Sequence, residues 1–164
     1  MVEMTLSGVI LEPKTKSPIV VLKDEDEQRA LLIWVGEPEA NAILLAHEGI
    51  KTPRPLTHDL FRDALEALAA PIKEVRINDM RESTYFAELE LEVAGETRVI
   101  DARPSDAIAM ALRFGAPIFV AEKVMADSAV PINQNRDEEE EAEQFKKFLE
   151  NVKPSDFGKF GGQS

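Results

Sequence analysis

The sequence predicts an α+β domain: a mixed, largely antiparallel sheet of six or seven strands with helices packed against it, followed by a C-terminal amphipathic helix. Three observations carry this reading. Alternating apolar and polar residues mark strands on both sides of a helical region. Between and after those strands lie apolar stretches at helical spacing, punctuated by Pro and Gly. A chain of 164 residues with 44% hydrophobic and 30% charged residues can bury a real core.

The elements follow in order. Val2, Met4, Leu6, Gly8 and Ile10 alternate with Glu3, Thr5 and Ser7, giving a half-buried first strand. The turn Pro13–Pro18 leads to Ile19-Val20-Val21-Leu22, and the acidic loop Asp24–Glu27 leads to Ala30–Val35. That last run is apolar on both faces and is expected to be a central strand. Gly36-Glu37-Pro38 opens a first helix, apolar nearly all round and stopped by Gly49. Thr57 suits the N-cap of a second helix reaching about Ala69, whose buried stripe should be Leu60, Phe61, Ala64, Leu65 and Leu68.

Strands then return. Ile72, Val75 and Ile77 mark one. Tyr85, Ala87, Leu89, Leu91 and Val93 mark the next, with Glu88, Glu90 and Glu92 forming an acidic opposite face. Ala94-Gly95-Glu96 closes a hairpin onto Thr97–Asp101. Ser105 or Asp106 is expected to cap a short apolar helix, Ala107–Phe114, ended by Gly115 and Pro117, before a last strand at Ile118-Phe119-Val120. The composition changes after Pro131, dividing the chain into a domain over 1–130 and an acidic tail over 131–164. In the tail Phe145, Phe148, Leu149 and Val152 fall at helical spacing, and Lys153–Ser164 is expected to be disordered.

Charge and composition limit the function. The formal net charge is −12, and residues 1–130 alone hold 14 Lys+Arg against 23 Asp+Glu. A broad basic face for nucleic acid is therefore not expected, although a local basic site is compatible. Without cysteine there is no disulfide, thiolate metal site or cysteine nucleophile. The N-terminus lacks the pattern of a signal peptide and no apolar run suits a membrane span, so the expected location is the cytoplasm, with no membrane partner. Helices apolar nearly all round are hard to bury within one small domain, and a homo-oligomer, specifically a dimer, is expected.

Two polar clusters could carry chemistry. Arg54-Pro55-Leu56-Thr57-His58-Asp59 places a histidine and a carboxylate at a helix start. His58 could be a general base or a metal ligand; the simpler local reading is a histidine at the edge of the core, with Asp59 as helix-start charge. Asp101-Ala102-Arg103-Pro104-Ser105-Asp106 lies where a strand runs into a helix. Arg103 and backbone N–H groups could hold phosphate, and Asp101 and Asp106 could hold Mg²⁺ or Mn²⁺; the alternative is capping by Ser105 and an Arg103–Asp ion pair. Glu37 and Glu39 form a third group, read most simply as favourable charge at a helix N-terminus. Only two histidines are present, which excludes an all-histidine zinc site and a His-Asp metal phosphohydrolase. There is no Gly-rich phosphate loop, nucleophile elbow or strand-borne aromatic RNA-binding motif.

Taken together, Leu32–Ala40, Arg54–Leu60 and Ala102–Arg113 resemble the bifunctional nuclease domain family in order and spacing over roughly residues 1–130. That family includes bacterial proteins and plant members described as cutting both DNA and RNA. The resemblance implies a nuclease and highlights Glu39, Arg54, His58, Asp59, Arg103, Ser105 and Asp106; with the carboxylates present, the expected function is a metal-assisted phosphodiesterase acting on DNA or RNA. On that reading His58 activates water and Asp59, Asp101 and Asp106 bind Mg²⁺ or Mn²⁺. Arg54, Arg103 and Ser105 then contact the substrate. The rival reading is a non-catalytic oligomeric module that binds a small anion or a protein partner.

Overall fold

A computed structural model describes residues 1–132 together with Glu143. The expected tail helix and disordered end lie outside the described residues. The elements are β1 (Val2–Leu11), β2 (Pro18–Asp24), β3 (Arg29–Trp34), α1 (Glu37–His47), α2 (Thr57–Ala67), β4 (Ile72–Arg81), β5 (Thr84–Val93), β6 (Glu96–Ala102), α3 (Pro104–Phe114), β7 (Ile118–Val120), α4 (Glu122–Ser128) and β8 (Val130–Pro131). The class is α+β, as the sequence predicts.

The strands form one eight-stranded sheet in the order β6-β5-β4-β7-β1-β2-β3-β8. It consists of two antiparallel meanders, β1-β2-β3 and β4-β5-β6, joined by the short β7. β7 runs antiparallel to β1 and parallel to β4, the one parallel pairing among the described strands. Bulges between Leu6 and Gly8, and at two places along β4, increase the local twist. The sheet curls until its distant parts meet: the Tyr85 hydroxyl on β5 donates to the Leu32 carbonyl on β3, 3.4 Å away.

Helix α3 fills the hollow of that curl. Ala107, Ile108, Ala109, Met110 and Ala111 are all buried, and the alanines let the helix lie close to the sheet and to α1. Gly115 ends it with φ +62°, a left-handed conformation that an L side chain adopts only under strain. The core joins α3 to Ile43 and Leu44 of α1 and to Val20, Leu31, Val75, Ile77 and Leu89 of the sheet. On the outward face Arg76 bridges Glu90 at 3.2 Å and Glu88 at 3.3 Å, which accounts for the acidic alternation along β5.

Five sequence expectations need correction. β3 is not central: it lies next to the edge, covered only by the two residues of β8, and Trp34 at its end is 58% exposed. The apolar face of α2 is not a buried stripe. Only Leu65 is buried, while Leu60 is 61% exposed, Phe61 38% and Leu68 74%. Leu56, not Thr57, is the N-cap of α2, because the Asp59 carboxylate reaches back to accept the Leu56 N–H at 3.1 Å. α3 begins at Pro104, with Arg103 as N-cap, since Pro suits the first helical position. Finally, residues 122–128 form the helix α4, and an eighth strand follows; neither is expected from the sequence.

Candidate functional site

The starts of α1, α2 and α3 converge on one recess. Each brings one polar group: Glu39 from the first turn of α1, His58 from the first turn of α2, and Asp106 from the first turn of α3, beside its N-cap Arg103. They border an open recess of about 830 Å³. Its remaining wall is mainly apolar, with Ala42, Leu56, Phe61, Leu89 and Ile100, and Arg54 stands at the rim.

The polar groups form a chain of contacts. His58 Nε2 lies 2.9 Å from Asp106 Oδ1. Arg103 grips the same carboxylate with two N–H groups, Nε to Oδ2 at 2.8 Å and Nη2 to Oδ1 at 3.1 Å. Its third nitrogen, Nη1, donates to Glu39 Oε1 at 3.1 Å. Burial alone would raise the Asp106 carboxyl, but the hydrogen bonds from Arg103 and His58 hold it below the ordinary carboxylate value. With Asp106 ionised, the neutral imidazole carries its proton on Nε2 and donates it to Oδ1, leaving Nδ1 as the nitrogen that can take a proton. His58 is 16% exposed and Asp106 30%, so the pair is sheltered but reachable. Asn41 borders the recess, and its Oδ1 is buried with no hydrogen-bond partner.

Asp59 does different work. Its Oδ1 accepts from Arg113 Nε at 2.8 Å, while its Oδ2 caps the Leu56 N–H. Arg113 is 4% exposed and its Nη1 also donates to the carbonyls of Ala42 and Ala109. One buried guanidinium therefore ties α1, α2 and α3 together directly behind His58. Burial raises the Asp59 carboxyl, yet the Arg113 hydrogen bond, the Leu56 N–H and the Arg113 charge bring it below its ordinary value. Asp59 borders a separate recess with Arg62 and Arg113 rather than the one that holds His58.

The other expected residues divide as follows. His58, Arg103, Asp106 and Arg54 meet at the recess. Asp101 borders it, but its cross-strand partner is Glu88, whose neighbours Ala87 and Leu89 are buried. By the alternation of a strand, its side chain belongs to the outward acidic face. Ser105 is 7% exposed and lines a third recess with Trp34 and Tyr85. Glu39, read as a helix-start charge, proves to be the second partner of Arg103. Its carboxylate folds back onto Gly36, where any Cβ would collide with it. Arg113, Asn41, Phe61 and Ile100 were not legible as site residues, since each sits in an apolar or unremarkable stretch.

The expected metal ligands do not fit a metal centre. Asp59 borders a different recess from Asp101 and Asp106, and no group of three or more His, Asp or Glu side chains is gathered for a metal among the described residues. Asp106 is already shared by a guanidinium and an imidazole. No described helix is long and apolar enough to cross a membrane.

Comparison with known proteins gives a consistent result. The family described as "Bifunctional nuclease domain" matches residues 20–133. An uncharacterized protein of Mycobacterium tuberculosis (strain H37Rv) is 42% identical over 162 residues, covering 94% of this chain and 97% of the relative. "Bifunctional nuclease 1" of Oryza sativa subsp. japonica is 33% identical over 119 residues, covering 70% of this chain and 36% of the plant protein. "Bifunctional nuclease 2" of Arabidopsis thaliana is 33% identical over 105 residues, covering 62% and 32%. The chain thus spans about a third of the plant proteins it matches.

Proposed function

The chain belongs to the bifunctional nuclease domain family, and from that premise we propose that it is a phosphodiesterase acting on DNA or RNA, with its chemistry at the His58–Asp106–Arg103 recess. The observation that carries this reading is the oriented pair: an imidazole held at 2.9 Å by a carboxylate that Arg103 keeps ionised, in a recess large enough for a nucleotide. Nδ1 of His58 takes a proton from water as the oxygen attacks phosphorus. The imidazolium is stabilised by Asp106 and returns a proton to the leaving oxygen as the P–O bond breaks. Arg103 is 63% exposed and its ion pairs are partly solvated, so a phosphate can draw it away from Glu39 and use its fork for two phosphate oxygens. Arg54 at the rim extends the grip along the backbone. The apolar wall with Phe61 offers a surface for a base.

The donor set does not fit a metal centre built by one chain, and the proposed steps use the chain's own groups alone. The ions are a variable of the test. Highly purified protein is assayed on single-stranded RNA and DNA with Mg²⁺, with Mn²⁺ and with chelator. Cleavage should fall at least about 100-fold in His58→Ala and Asp106→Asn while both variants stay folded. Equal cleavage in parent and variants would place the activity elsewhere.

The second reading is a non-catalytic oligomeric module for a small anion or a protein partner. It is favoured by one observation: Arg103 is already paired with Glu39 and Asp106, the arrangement of a competitive anion site. An inactive parent that binds a mononucleotide, and loses that binding in Arg103→Ala, selects this reading.

A further inference from the structure

We propose that the free edge of β6 and the exposed row of α2 form a two-fold interface with a second copy of this chain, continuing the sheet across the seam and closing the outer wall of the recess. The argument begins with the edges of the sheet. One edge is β8, two residues long and ending in Pro131, which cannot donate to a neighbour. The other is β6, seven residues with no proline and no bulge in its pairing to β5. Both of its faces are open: Val99 is 52% exposed and Ile100 43%. The edge carries charges at Glu96, Arg98 and Asp101, but it has neither a proline nor a bulge, and Val99 and Ile100 make its middle apolar.

The strand is complementary to itself. A two-fold axis normal to the sheet sets β6 antiparallel to its own copy and keeps every side chain on its own face, so opposed residues must have the same parity. The register that overlaps all of Glu96–Ala102 is centred on Val99. It sets Val99 against Val99, Arg98 against Ile100, Thr97 against Asp101 and Glu96 against Ala102. No like charges are opposed. A register centred on residue 98 would instead set Arg98 against Arg98, which costs stability.

Helix α2 supplies the second layer. Its apolar row is exposed at Leu60, Phe61 and Leu68, although its sequence is that of a helix with one buried face. Phe61 and Ile100 line the same recess, so α2 flanks β6. The normal two-fold leaves both helix layers on one side of the joined sheet, and the two α2 rows then face each other over the seam. The chain beyond residue 132 also carries apolar residues, but it follows β8, at the other end of the strand order from β6. A second copy satisfies edge and row together.

The test uses the full chain and needs no enzymatic activity. Sedimentation at micromolar concentration should give twice the mass of one chain for the parent. It should give the mass of one chain for Val99→Lys and for Leu60→Lys, each with an unchanged circular dichroism spectrum. Amides of residues 96–102 that are not bonded to β5 should exchange slowly in the parent and rapidly in both variants. Substituting Phe145 and Phe148 with Glu should leave the dimer intact. A monomeric parent, a Val99→Lys variant that stays dimeric, or a dimer lost in the Phe145/Phe148 variant would overturn the proposal.

Discussion

At the scale of single residues, the site depends on two arginines with opposite situations. Arg103 is exposed and shared between two carboxylates, so it can be recruited; the Arg113 side chain is buried and held by Asp59 and by the carbonyls of Ala42 and Ala109, so it cannot. Removing the carboxylate from Arg113 leaves a buried cation without its partner, and Asp59→Ala should cost about 3 kcal/mol by denaturant titration. The folded Asp59 carboxyl lies below its ordinary value, so its contribution is complete above the unfolded pKa of about 3.9 and is lost as pH falls through the folded one. Stability of the parent should therefore drop as pH falls below about 4, and Asp59→Asn should flatten that limb. A limb of unchanged steepness would remove the pair from the account. His58 provides the complementary measurement. If Arg113 fixes the start of α2, Arg113→Lys should shift the imidazole resonances of His58 by NMR; unmoved signals would show that α2 is held by other contacts.

At the scale of elements, α2 separates pattern from burial. Its apolar positions are equivalent in the sequence, yet only Leu65 reaches the core. Leu65→Ala should cost about 2–3 kcal/mol through lost burial and a residual cavity. Leu68→Ala, at a position 74% exposed, should change stability by less than about 0.5 kcal/mol. Thermal denaturation of the two variants checks the contrast, and equal losses would mean that the row is covered along its whole length. Gly115 is the other element-scale test. At φ +62° a Cβ is strained although space is open around it, so Gly115→Ala should cost about 1 kcal/mol.

At the scale of the whole molecule, β8 defines how much chain the domain needs. Val130 and Pro131 pair with Ala30 and Arg29, and the Ile132 N–H donates to the Gln28 carbonyl at 3.0 Å. A chain ending at Ile132 should unfold cooperatively, whereas one ending at Ala129 should have a lower Tm because the β3 edge is uncovered. Identical curves would show that β8 adds nothing. The net charge of −12 carries a further consequence. With so few cations, binding of nucleic acid should rest on Arg54 and Arg103 alone, and the salt slope should correspond to about two phosphate contacts.

The sequence by itself determined the class, most elements and the two clusters. Period-2 and period-3.6 patterns, with Pro and Gly at the boundaries, are local signals: Val2–Leu11, Thr84–Val93 and α1 each carry one. Short elements such as β8 and α4 carry too little pattern to be read. Family resemblance drew attention to Glu39, while its local setting suggested only a helix-start charge. Tertiary structure decided the rest. It turned His58 toward Asp106 across 48 positions of chain, gave Asp59 to Arg113 and placed Asp101 on the outward face. It left the apolar row of α2 uncovered, and it dispersed carboxylates that adjacency had suggested as one ligand set. The physical reason is that a local pattern fixes which residues share a face, whereas a site depends on which faces meet. Here that was settled by the curl of the sheet around α3 and by one buried guanidinium joining three helices.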